Sequence, residues 1–312
     1  MTVRPEAYTA EVFRRALDEA CAVAGLPSAG AQLMHLTVNA VYRLHGTPVV
    51  ARIAGPQLGL DDVTRVVALA HWLEREGVPA VRLVRLPGPQ PVATDDRMFV
   101  TFWHYLPQPH DDPPGAGELA GPLRRVHGLR PPAYPLPDWD PVAVDRARLR
   151  RAPQDVPAAE LAYLHHLADR LGEELPQVRF TLPRSVIHGD AHIGNLLRDA
   201  RGRPVLCDLD FMCVGPPEWD LVAELMGCLR YGRSLTDYQH LVDAYGFDPR
   251  SWDGLPALAR VHALNVLTVV LPLLGPNPRM RAEWRRRITA LREGDTTAPW
   301  ISYRTLRRPE PG

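Results

Sequence analysis

From Pro157 onward the apolar residues recur at helical spacing, over residues 158–173, 218–231, 235–245, 257–274 and 279–292, and that pattern breaks once. At the break, Leu196-Leu197 and Val205-Leu206-Cys207 flank the turn-rich Asp199-Ala200-Arg201-Gly202, so a β-hairpin is expected over 195–210 inside a helical half. The N-terminal part reads differently. A helix over 8–24 stops at Gly25-Leu26-Pro27, and the β-rich runs 40–44 and 49–53 are separated by His45-Gly46-Thr47-Pro48, which predicts an antiparallel pair. A helix follows over 61–76, with Asp61 and Asp62 at its start and Gly77 and Pro79 beyond its end; short strands over 81–86 and 98–102 complete a small sheet. The prolines of 104–117 and 131–141 predict rigid, irregular connections. The expected fold is therefore α+β in two lobes. A small N-terminal β-sheet lobe covers 1–103, and a larger, mainly helical lobe carrying the hairpin covers 104–312.

Hydrophobic residues at 46% and charged residues at 23% match a folded globular chain, so an enzyme or binding protein is the expectation. The formal net charge is zero and the short cluster Arg285-Arg286-Arg287 solvates one helix face, so no nucleic-acid partner is expected. Cys21, Cys207, Cys213 and Cys228 show no CxxC spacing, and the charged stretch 1–11 does not read as a signal sequence; reduced thiols and a cytoplasmic chain are expected. Nor is a membrane partner expected, because the most apolar stretch, 266–274, contains Pro272 and falls far short of a span of roughly 20 residues. All 36 basic residues are Arg. Without Lys, a Walker A phosphate loop and a Schiff-base enzyme are excluded, and any cation that does chemistry is Arg, His or a metal.

Phosphoryl transfer needs little covalent work and much positioning: a carboxylate facing the attacking hydroxyl, oxygen ligands for magnesium, and cations along the phosphates. The stretch Val186-Ile187-His188-Gly189-Asp190-Ala191-His192-Ile193-Gly194-Asn195 offers Asp190 for the hydroxyl and the hard amide oxygen of Asn195 for Mg²⁺. Beyond the hairpin, Val205-Leu206-Cys207-Asp208-Leu209-Asp210-Phe211 delivers two carboxylates. Residues two apart on a strand share a face, so Asp208 and Asp210 are expected to approach one metal-phosphate cluster.

In the order and spacing of these residues the chain resembles the aminoglycoside phosphotransferase and choline kinase-like family, which shares the bilobal architecture of protein kinases. The segment Gly215-Pro216-Pro217-Glu218-Trp219-Asp220-Leu221 resembles the stretch that follows the family's catalytic pattern, and residues 37–44 with 49–53 resemble its small-lobe hairpin. The resemblance implies that Asp190 is the catalytic aspartate, that His188 braces its loop and that Asp220 hydrogen-bonds the loop from behind. It further implies that Asn195 and Asp208, with Asp210 beside them, hold magnesium, and that Arg52 meets the phosphates of ATP or GTP. Thr101, Trp103 and Tyr105 would lie along the hinge that offers backbone groups to the base. Two departures stand out: Arg52 replaces the usual strand Lys, and Val66 occupies the helix position where many relatives carry a glutamate partner, with Asp61 or Asp62 as substitutes one turn earlier.

The function expected is transfer of the γ-phosphate to a hydroxyl of a small acceptor, an antibiotic or related metabolite. Two other classes stay open. A catalytically silent kinase-fold binding protein is motivated by Val66 and the missing Lys, and a metal-dependent hydrolase by the pattern His188-x-Asp190-x-His192. Two plainer readings stay open as well: Arg52 projecting into solvent from its strand, and Asp220 serving only the dipole of its helix.

Overall fold

Residues 1–114 and 194–211 make one compact unit, and residues 115–193 and 212–312 make a second. The computed structural model describes residues 10–36, 39–55, 57–109, 112–275, 277–295 and 298–306; Tyr8 and Thr9 of the first expected helix, and Thr37 and Val38 of the small-lobe hairpin, lie outside them.

In the first unit, α1 (Ala10–Ala24) buries Phe13, Leu17, Ala20 and Cys21 along one face. The other elements are β1 (Gln32–Leu36), β2 (Ala40–Arg43), β3 (Val49–Ile53), α2 (Leu60–Arg75), β4 (Val92–Ala93) and β5 (Phe99–His104). The strands form one sheet in the order β1-β2-β3-β5-β4, antiparallel throughout. Because side chains alternate along a strand, Val49, Ala51 and Ile53 of β3 join α1 in the core while Val50 and Arg52 take the opposite face. Strand β1 was not expected: it is the sheet edge, with Leu33 and Met34 exposed, so it lacks the alternation that marks a half-buried strand. The strand expected over 81–86 is not a regular one. Ala80 bridges in parallel to Leu206 and Leu83 bridges to Trp103, so the segment divides its pairing between two partners.

The expected hairpin is present as β7 (Leu196–Arg198) and β8 (Pro204–Leu206), antiparallel, with Asp199 Oδ1 accepting the N–H groups of Arg201 and Arg203 across the turn. It belongs to the first unit. Leu206 N–H donates to Pro79 O at 2.8 Å, Val81 N–H donates to Leu206 O at 2.9 Å, and Arg198 N–H donates to Gln108 Oε1 at 2.9 Å.

The second unit is mainly helical: α3 (Ala120–His127), α4 (Pro141–Arg150), α5 (Ala158–Glu174), α6 (Glu218–Tyr231), α7 (Leu235–Tyr245), α8 (Leu255–Val269), α9 (Leu271–Leu274), α10 (Pro278–Arg292) and α11 (Tyr303–Leu306). Its short ribbon pairs β6 (Ser185–Ile187) with β9 (Cys213–Gly215). Helix α6 is buried on most of its circumference and packs on α7 and α8. Helix α4 begins at the last proline of the run expected to be irregular, because Pro141 at its first position has no N–H to leave unpaired and Asp140 caps it, accepting from Ala143 N–H at 2.9 Å. The single helix expected over 257–274 is two, since Pro272 cannot continue the hydrogen-bond ladder of α8. Among the described residues no helix is long and apolar enough to cross a membrane.

Candidate active site

Each unit gathers part of the expected chemistry. In the second, β6 ends at Ile187 and the chain turns through His188, which is fully buried, and Gly189, whose φ of +85° a side chain would strain. The turn is clamped by α6. Asp220, fully buried, accepts the N–H of His188 at 2.7 Å and that of Gly189 at 2.8 Å, and His127 Nε2 lies 2.9 Å from it. The indole N–H of Trp219 donates to Gly189 O at 2.8 Å, and Asp190 N–H donates to His188 Nδ1 at 3.4 Å. Asp220 thus does far more than favour a helix dipole: a buried carboxylate is tolerable only when its oxygens are bonded, and here the donors are the backbone of His188 and Gly189.

Asp190 itself keeps 42% of its side chain exposed, and His192 Nε2 lies 3.8 Å from it. Burial pushes the His192 imidazole down, against the pull of Asp190, which favours the protonated ring. Below them Glu224, also on α6 and 1% exposed, accepts Ile193 N–H at 3.0 Å and Arg233 Nη1 at 2.7 Å. Glu218 accepts the N–H groups of Thr181 and Leu182, each at 2.7 Å. The sequence reading passed over Glu218, Glu224, His127 and Arg233. The signal was there in the carboxylates spaced along a helix that is otherwise apolar enough to be buried, each of which requires donors.

In the first unit Arg52 and the two aspartates meet. Arg52 Nη2 lies 3.8 Å from Asp208 Oδ1 and is directly hydrogen-bonded to Asp210 Oδ2. The reasoning from strand spacing fails even though the carboxylates converge: β8 stops at Leu206, Asp208 sits in the left-handed region at φ +59°, and Leu209–Phe211 is a 3-10 turn. Arg52 does not project into solvent, its side chain being 13% exposed. Nor do the early aspartates of α2 substitute for a helix glutamate, because Asp62 caps α2 through Gly59 N–H and pairs with Arg65, and Val66 is buried. The partner of the strand cation is Asp210.

Asn195 is buried at the end of the 3-10 turn just before β7, and its carbonyl accepts Cys207 N–H at 2.9 Å. Asn195, Asp208 and Asp210 are hard oxygen donors, and the buried Asp210 Oδ1 has no protein partner among the described residues; the set fits a divalent cation of the magnesium type. Among the described residues no group of three or more His, Cys, Asp or Glu is placed to hold a metal, so the pattern His188-x-Asp190-x-His192 builds no zinc site there. Along the expected hinge, Thr101 is fully buried and accepts the indole N–H of Trp103 at 2.8 Å. The N–H of His104 donates to Arg82 O and that of Tyr105 to Pro48 O, while the Tyr105 ring lies under the Arg43 guanidinium at 4.4 Å.

The profile of a phosphotransferase enzyme family matches residues 35–255. No curated protein matches the sequence significantly. Among solved structures, an amicoumacin kinase in complex with AMP-PNP, Ca²⁺ and Ami is similar at a TM-score of 0.73 and 14% identity, covering 96% of this chain and 97% of that one. A microcompartment-associated aminopropanol kinase gives 0.70 at 16% identity, covering 93% and 99%. A choline/ethanolamine kinase family protein from Mesorhizobium loti gives 0.60 at 18%, covering 88% and 93%. At such identities the likeness is one of fold, that of small-molecule kinases.

Proposed function

The chain belongs to the phosphotransferase enzyme family, and from that premise we propose that it transfers the γ-phosphate of ATP or GTP to a hydroxyl of a small molecule. The observation that carries this reading is the clamp of Asp220 on the N–H groups of His188 and Gly189, which fixes the loop and leaves the Asp190 carboxylate turned to solvent. A carboxylate so held can accept the proton of an attacking hydroxyl without reorganising first. Arg52 supplies guanidinium donors for the phosphates, and Asn195 and Asp208, with Asp210 beside them, would hold Mg²⁺. The ion, when bound, neutralises charge that grows on the phosphates during transfer. With the N–H groups of His104 and Tyr105 already engaged, recognition of the base along 101–105 falls to carbonyls and to apolar contact rather than to those donors.

For the acceptor, the charges near Asp190 favour a molecule with at most one positive charge. Glu224 is committed to Arg233, Asp145 to Arg148, and Asp220 to the loop, so polycations would find Asp190 as their principal carboxylate. Antibiotics or metabolites with free hydroxyls and few amines fit that setting. The test is transfer of label from γ-labelled ATP and GTP to a panel of hydroxylated antibiotics and metabolites, with Asp190→Asn as control. Label transfer that survives in Asp190→Asn, or no transfer to any member, would count against the reading.

A further inference from the structure

The guanidinium of Arg52 is pinned through a single nitrogen. Both carboxylate contacts, to Asp210 and to Asp208, use Nη2, and no other donor of this side chain bonds to a described residue. Asp210 is itself fixed: Asn39 Nδ2 donates to its Oδ2 at 3.5 Å, Asn39 Oδ1 accepts Gly55 N–H at 3.0 Å, and neighbouring Leu209 is 2% exposed in a turn packed against α2. Arg52 and Asp210 have side chains only 13% and 14% exposed, which shields the pair from the screening that makes surface ion pairs weak. An unpaired arginine carries large rotamer entropy; one tied at Nη2 keeps Nε–H and Nη1, which lie on different sides of the fork, as donors of fixed direction, each able to meet a phosphate oxygen.

We propose that Asp210 is the positioning residue of Arg52, holding the guanidinium by one nitrogen so that its unspent donors face the nucleotide phosphates. The proposal rests on the phosphotransferase reading above and deepens it, because it explains how the chain dispenses with a carboxylate on α2, where Val66 is buried. Asp210 would touch no substrate. Its work is done through Arg52, and its loss should therefore show in turnover more than in nucleotide affinity.

Three variants of the full chain test this, Arg52→Ala, Asp210→Asn and the double. Unfolding midpoints without nucleotide read the pair itself: coupling leaves the double close to the worse single variant, and fully additive losses would overturn the pairing. Calorimetric titration with ATP in EDTA, and again with magnesium, reads binding. In EDTA Asp210→Asn should stay within about 3-fold of wild type, while Arg52→Ala weakens binding about 10-fold or more; with magnesium, where Asp210 lies beside the ion, both variants should weaken binding. Turnover, followed as phosphate released from ATP with water in place of the acceptor, should fall about 10-fold or more in Asp210→Asn and no further in the double than in Arg52→Ala alone. Wild-type turnover in Asp210→Asn, or losses that multiply in the double, would each overturn the proposal, the second by making Asp210 act independently of Arg52, as a metal ligand only. A wild type that shows the coupling yet binds no nucleotide would sink the phosphotransferase reading, and the positioning role with it, while leaving the ion pair intact.

Discussion

Asp190 and the nearby His262 have opposite surroundings. Asp190 is exposed enough to meet a hydroxyl, and its loop needs no carboxylate there to keep its shape, since Asp220 holds the turn. Asp190→Asn should therefore lower transfer by about 10²–10⁴-fold while nucleotide affinity, measured by titration, stays within a few-fold of wild type. His262 on α8 is the opposite case. Its ring lies against Trp219, its Nδ1 is buried with no partner among the described residues, and burial pushes it from 6.5 down to about 4, with Asp190 opposing and His192, Arg230 and Arg233 adding to the depression. Between those two values the unfolded chain binds the proton and the folded chain does not. Stability should thus rise with pH from about 4 to 6.5 and level off above, by about 3 kcal/mol at most. His262→Gln should flatten that part of the profile, as read from denaturant midpoints across the window; an unchanged slope would clear His262 of responsibility.

Helix α6 shows how one element can carry both packing and chemistry. Its apolar residues fill the second unit while Glu218, Asp220 and Glu224 take backbone donors from three separate segments. Replacing Asp220 by Ala would leave the N–H groups of His188 and Gly189 and the Nε2 of His127 without their acceptor, and a loss of about 3–5 kcal/mol in urea unfolding is expected, together with turnover falling more than nucleotide affinity. Helix α2 supplies the contrast. Val66→Glu would bury a carboxylate where Arg52 already has its partner, so it should lower stability by about 1–3 kcal/mol without raising turnover in an Arg52→Lys background; a rescue there would contradict the assignment of Asp210. At this scale the sequence was legible where local pattern and burial agree. Helices α6 and α7 begin and end where their periodicity does, and the turn of the β7–β8 hairpin falls on Asp199 to Gly202. It was not legible where an element depends on a distant partner. The ribbon β6–β9 joins segments far apart in sequence, α4 starts inside a proline run that looks irregular until Asp140 is seen to cap it, and the pairing of Arg52 with Asp210 spans residues that no periodicity connects.

Over the whole molecule, neither unit is one continuous piece of chain. The first lacks its hairpin until residues 194–211 are added to 1–114, and the second is made of 115–193 and 212–312. A fragment of residues 1–114 would leave Pro79 and Val81 without their bonds to Leu206, Gln108 without Arg198, and Arg52 without either aspartate. It should melt less cooperatively than the full chain and be cut faster by protease, and a fragment as resistant as the intact protein would show that the hairpin adds little. The same interleaving sets a timetable at the ribosome. The strand that carries Arg52 is synthesised early, but the turn that carries Asp210 follows residue 114 only after a delay of about 5–20 s at ordinary elongation rates. During that interval the nascent sheet holds an unanswered cation, and the Arg52–Asp210 pair cannot be assembled until most of the second unit's first segment has already left the exit tunnel.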